Sequence, residues 1–224
     1  MGARAVRRPL RESRLWRTYY ASRYAILFYS LLLMLVAMPV AATIGLPQVM
    51  IRLLLGFCLL AAVMPNSTKH TRRVLLGAVI LLIAFRFASE YGYIPVNSGL
   101  VLVLVGIAGL LAAGGALRFA VTSDVVDAEI IYAALSTYLL AGVFFGQIYW
   151  AVEGAIPGSF TGPDPFSEVR ATYYSFVTLA TLGYGDFLPK SDLARGIAVF
   201  EVIGGQLFLA VMVARLIGLF GTGK

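Results

Sequence analysis

The stretch Tyr173-Tyr174-Ser175-Phe176-Val177-Thr178-Leu179-Ala180-Thr181-Leu182-Gly183-Tyr184-Gly185-Asp186 decides how the rest of the chain is read. Its first eight residues close a mixed run, Ser167 to Ala180. That run is too short and too polar to cross a bilayer, which takes ~20 apolar residues. The remainder sets Gly183 and Gly185 two positions apart. Glycine adopts positive φ at little steric cost, so alternate glycines allow an extended backbone of unusual geometry. Long apolar runs lie on both sides, at 129–150 and 193–219. Irregular backbone at membrane depth is tolerated only inside a protein-lined setting. Alone, five such residues would read as a glycine-rich turn; the flanking spans argue for more. A phosphate loop fits poorly, because no lysine follows the glycines and no helix starts there.

Composition sets the class. Hydrophobic residues make up 60% of the 224, and charged residues 13%. Soluble domains carry ~25% charge, so this chain cannot coat a soluble globule with polar surface. Disorder is excluded by the hydrophobicity. Seven arginines (Arg4, Arg7, Arg8, Arg11, Arg14, Arg17, Arg23) against Glu12 supply +6 of the net +7. A basic segment abutting an apolar run marks the cytoplasmic end of a membrane protein, not a nucleic-acid module. Its arginine spacing also suits an amphipathic helix on anionic lipids. Residues 24–46 are too long an apolar run for a signal peptide. The single cysteine, Cys58, excludes an intrachain disulfide, and the single histidine, His70, excludes a histidine-based catalytic or metal site.

Hydropathy predicts six spans, at 24–44, 48–64, 73–88, 98–119, 129–150 and 193–219. Pro39 is a candidate kink in the first, and Arg52 can snorkel from the second. Arg86 and Glu90 share a helix face by their spacing, as an interfacial ion pair or a sensor charge. Tyr149 and Trp150 read as interface anchors. Thr122-Ser123-Asp124 looks like a helix cap, with 122–128 an interfacial segment. An inside amino terminus puts Lys69, Arg72 and Arg73 inside. It puts residues 151–192 outside, where Glu153, Asp164, Glu168, Asp186 and Asp192 outnumber Arg170 and Lys190. The basic residues then follow the positive-inside rule.

Thr181-Leu182-Gly183-Tyr184-Gly185, followed by Asp186, resembles the selectivity filter of potassium channels, whose pattern is Thr-Val-Gly-Tyr-Gly. The residues before it resemble their pore helix. Leu182 replaces valine at a position that offers a backbone carbonyl rather than a side chain. The likeness covers residues 130–220 and is to bacterial two-helix pore modules. It implies an all-α membrane protein with six transmembrane helices per subunit, one re-entrant pore helix with its filter loop, and a homotetrameric pore. Rings of carbonyls, with the Thr181 hydroxyl, would replace the water of a bound, permeant K+. No other cofactor, no enzyme activity and no nucleic acid are expected. The partners are three identical subunits and the bilayer.

On this reading the chain divides into a basic cytoplasmic segment (1–23), a four-helix bundle (24–119), a linker (120–128) and a pore domain (129–220). The last comprises an outer helix at 129–150, a pore helix at 167–180, the filter at 181–185 and an inner helix at 193–219. Asp186, Glu168 and Arg170 are assigned to the outer mouth, with Arg170 paired to Glu168, Asp164 or Asp186. Tyr173, Tyr174, Phe176 and Thr178 pack the pore helix, and Tyr184 braces the loop against it. Gly204 and Gly205 serve as an inner-helix hinge or as close-packing sites. Glu201 is a buried acid, hydrogen-bonded behind the filter or touching the ion. Residues 98–117 hold no charge, so strong voltage sensing by that helix is not expected. Few residues follow Arg215, and no ligand-binding domain is expected there. The function read is potassium-selective conduction in a bacterial plasma membrane, both termini cytoplasmic. A weakly selective cation channel and a non-conducting membrane subunit stay open as alternatives.

Overall fold

The computed structural model describes residues 22–45, 98–122 and 127–221, with the single residues Gly56, Gly77, Ile80 and Ala84. The arginine-rich segment up to Ala21, the second and third expected spans, Cys58, His70, Arg86, Glu90 and Asp124 lie outside the described residues. In chain order the elements are α1 (Arg23–Thr43), α2 (Ser98–Thr122), α3 (Ala128–Ala155), β1 (Phe160–Thr161), α4 (Glu168–Leu179), β2 (Leu188–Pro189) and α5 (Asp192–Gly221). Helices α1, α2, α3 and α5 are each long and apolar enough to cross a bilayer. The protein is an all-α, multi-pass membrane protein. Its two short strands pair antiparallel, Phe160 opposite Pro189 and Thr161 opposite Leu188, as a local clasp.

The helix ends have identifiable causes. Asp127 caps α3 by accepting from the Ile130 N–H at 2.9 Å, and Glu129 in the first turn suits the positive helix pole. Helix α2 runs through to Thr122, and the rest of the expected cap, Ser123 and Asp124, lies outside the described residues. Ser167 caps α4 through the Arg170 N–H. Helix α1 continues through Pro39. Thr43 follows one turn later and donates its hydroxyl to the Pro39 carbonyl at 2.8 Å. Helix α3 extends past Trp150 to Ala155.

Helix α3 is the axis of the assembly, packed by α1, α2 and α4. Between helices in lipid there is little hydrophobic driving force, so close fit does the holding. On α2, Gly106 and Gly109 leave room for α3: a methyl at Gly106 would lie 2.6 Å from Ile148, and one at Gly109 would fall on the Phe144 ring. Leu27, Leu31 and Met34 of α1 join Val101 and Val105 of α2 and Leu140 and Phe144 of α3 in one buried cluster. At one end Tyr24 stacks on Phe119 at 4.9 Å. The Arg23 guanidinium lies 5.1 Å from that Phe119 ring, and the Tyr24 N–H donates to Glu129 at 3.0 Å. Three helices are thus tied at their ends.

Other faces stay uncovered within one chain. Leu33 and Val36 on α1, and Phe200, Leu207 and Ile217 on α5, are 60–69% exposed. Apolar faces of this extent need lipid or further protein chains as cover.

Candidate functional site

Helix α4 lies in a groove cut by glycines of α3. A methyl at Gly142 would stand 2.5 Å from the Phe176 ring, and one at Gly146 2.7 Å from the Thr172 Cα. The sequence reading missed this pair. Its signal was the four-residue spacing in Gly142-Val143-Phe144-Phe145-Gly146, which lets helix backbones approach closely.

At its carboxyl end α4 closes in a Schellman turn. The Thr181 N–H donates to the Thr178 carbonyl and the Leu182 N–H to the Val177 carbonyl, both at 2.9 Å. The Gly183 N–H also reaches the Val177 carbonyl, at 3.4 Å. Such turns place a left-handed residue just past the cap, usually glycine. Here it is Thr181, at φ 56°, the one non-glycine residue of positive φ among the described residues. A β-branched residue held there costs ~1–3 kcal/mol, and strain of this kind concentrates at functional sites. Gly183 and Gly185 follow at φ 57° and 77°. Left-handed backbone therefore recurs at 181, 183 and 185. A methyl built on either glycine meets nothing within 4 Å, so conformation, not crowding, requires glycine there.

Within one chain this loop is bare. Leu182 is 56% exposed and Tyr184 67%. The loop's exit is anchored by Asp186, whose carboxylate accepts from the Phe187 N–H at 3.0 Å. The same carboxylate holds the Tyr173 phenol above its usual pKa. Beyond it, the Lys190 N–H donates to the Ser159 carbonyl at 2.6 Å, reinforcing the strand clasp.

The segment leading into α4 is fixed by charge. Arg170 pairs with Asp164 at 2.9 Å and donates to the Pro165 carbonyl at 2.6 Å. Glu153 accepts from the backbone N–H groups of Gly158 and Phe160. Glu168 accepts from buried Gln147 of α3 at 3.1 Å. Around α4, Tyr174 meets Tyr149 and Phe160 edge-on at 4.9 and 5.2 Å. Phe166 stacks on Phe160 at 4.1 Å.

Tyr149 is no interface anchor. It is fully buried and donates its hydroxyl to Glu201 Oε2 at 2.6 Å. Interface tyrosines keep their polar end wet; this one has found a carboxyl group inside. Glu201 is fully buried as well, and its Oε1 lies 2.5 Å from the Ser175 hydroxyl. One turn along α5, a methyl at Gly205 would lie 2.7 Å from the Leu179 carbonyl, whereas one at Gly204 meets nothing within 4 Å. Glu201 and Gly205 are thus the contact face of α5 on α4. Trp150 packs beside the aromatic cluster of Tyr149 and Tyr174.

Residues 130–221, covering α3 to α5, match the family described as Ion channel. This part of the chain, α3 to α5, is therefore similar to ion channels. The inward rectifier potassium channel Kirbac3.1 of Paramagnetospirillum magnetotacticum is 36% identical over 87 residues, 37% of this chain and 27% of that one. Two pore potassium channel c of Oryza sativa subsp. japonica is 33% identical over 84 residues, 36% of this chain and 17% of that one. The calcium-activated potassium channel slowpoke of Drosophila melanogaster is 27% identical over 103 residues, 46% and 8% of the two chains. The matched stretch spans 27% or less of these relatives' own lengths. No solved structure matches the chain at a significant level.

Proposed function

We propose that four copies of this chain surround one axis and conduct K+ passively and selectively through the loop 181–185. The observation that carries this reading is the recurrence of left-handed backbone at Thr181, Gly183 and Gly185, directly after a short helix flanked by two spanning helices. Alternation of backbone hand turns successive carbonyls of a strand to one side. Four such strands would stack rings of oxygens that replace the water of a bare cation, with the Thr181 hydroxyl closing the inner end. One strand offers a quarter of each ring, so the site is complete only in a tetramer. The exposure of Leu182 and Tyr184 in the single chain fits neighbours supplying the missing cover.

The surrounding residues take supporting parts. The negative pole of α4 points toward a central cavity and favours a cation there. Asp186 raises cation concentration at the outer mouth, and Arg170 with Asp164 stiffens the outer loop rather than touching ions. Gly205 serves close packing of α5. The pore unit is 129–220, with 24–119 a second bundle of four spans and the chain crossing six times, both termini inside. The uncharged stretch 98–117 supports gating by something other than charge movement in that helix. The matched potassium-channel relatives favour K+ as the ion. The test is flux from K+-loaded liposomes: the protein is expected to release K+ and exclude Na+, and Gly185→Ala to abolish release. Equal release by the wild type and Gly185→Ala would refute the proposal.

A further inference from the structure

Three helices meet at one buried carboxyl group, and counting protons there is decisive. The Ser175 hydroxyl stands 2.7 Å from the Gly142 carbonyl and 2.5 Å from Glu201 Oε1. A hydroxyl carries one proton and a carbonyl none. If Glu201 were ionised, Ser175 could satisfy one of these oxygens only, leaving two unprotonated oxygens in contact in a buried site. With the proton on Glu201, every contact is a hydrogen bond. The Tyr149 hydroxyl donates to Glu201 Oε2, Glu201 Oε1–H donates to the Ser175 oxygen, and Ser175 donates to the Gly142 carbonyl.

We infer that Glu201 is held as a neutral carboxylic acid that clamps α5 to α3 and α4, and that it is a positioning residue for the loop 181–185. Its route to the loop is short. Ser175 lies two residues before Val177, whose carbonyl receives the Leu182 and Gly183 N–H groups. Gly205 against Leu179 repeats the α5–α4 contact one turn on, so the clamp fixes the register of the two helices. The titratable groups around Glu201 are phenols: Tyr149 and Tyr138 on α3 and Tyr174 on α4. From α2, Leu110, Ala113, Gly114 and Leu117 line the adjoining cavity and bring no ionisable group. Among the described residues no cation stands opposite the acid to hold it ionised. Burying a lone charge is costly, whereas a satisfied neutral network is not.

The test compares the full-length protein with Glu201→Gln and Glu201→Leu in liposomes. The infrared carbonyl band of a protonated carboxylic acid is expected at neutral pH in the wild type and is lost in Glu201→Gln; Ser175→Ala should shift it. The glutamine amide supplies the same donor and acceptor. Glu201→Gln should therefore keep the K+ to Na+ flux ratio within about twofold, while Glu201→Leu lowers it about tenfold, as loss of a buried network would. No band difference between wild type and Glu201→Gln would overturn the inference. So would a wild-type flux ratio in Glu201→Leu, or a Glu201→Gln protein as impaired as Glu201→Leu. The flux arm rests on the conduction reading above. The infrared arm does not, so a protein that holds the proton yet passes no K+ would sink that reading and leave the neutral acid standing.

Discussion

Thr181 shows how far a single residue can be read in advance. Its place in the Thr-Leu-Gly-Tyr-Gly string was legible, but its left-handed backbone at φ 56° was not, because threonine is a poor candidate for that conformation. The turn that imposes it is a property of the end of α4, not of the residue. Glycine at 183 and 185 was legible, since positive φ is what glycine permits. Gly183→Ala should therefore cost ~1–2 kcal/mol through backbone strain alone, as its added methyl meets no neighbour. Thermal unfolding of the reconstituted protein would read this, and an unchanged midpoint would count against the strained loop. Tyr173 was assigned to packing, and the influence of Asp186 on its phenol was not foreseen: the two lie thirteen positions apart in the chain. Because the Asp186 carboxylate accepts from the Phe187 N–H, Asp186→Asn should lower the melting temperature less than Asp186→Ala.

Helices were easier to foresee than their contacts. Apolar length and turn residues predict α1, α2, α3 and α5 because a bilayer demands such length. Which faces meet is another matter, since lipid and helix are equally apolar and periodicity gives no inner side. The small residues carry that information. Gly142 and Gly146 form the bed of α4, and Gly205 receives the Leu179 carbonyl. At Gly204, by contrast, an added methyl meets nothing within 4 Å. Gly205→Ala is expected to destabilise by ~1–3 kcal/mol, the range for overpacking, with Gly204→Ala much milder. Equal melting shifts for the two variants would show that the α4–α5 contact is not as described. Asp127 caps α3 through the Ile130 N–H. Asp127→Ala should cost ~1 kcal/mol, detectable as a lower melting temperature without loss of ion selectivity.

For the molecule as a whole, the composition excluded a soluble fold at once, because 13% charged residues cannot cover a globule. What a linear sequence cannot display is the surface one chain offers another. In the single chain Leu182, Tyr184 and the apolar face of α5 are exposed, and the proposed tetramer would cover them. The proposal fixes the mass of the assembly: native mass spectrometry from mild detergent should give four chains, and a stable monomer would leave the carbonyl rings unformed. The most direct test of the central claim is the reversal potential across a bilayer holding the purified protein, with K+ on one side and Na+ on the other. The current is expected to reverse close to the K+ equilibrium potential. Reversal near zero, with Na+ passing as readily as K+, would contradict a loop whose carbonyls are spaced to take the place of potassium's water.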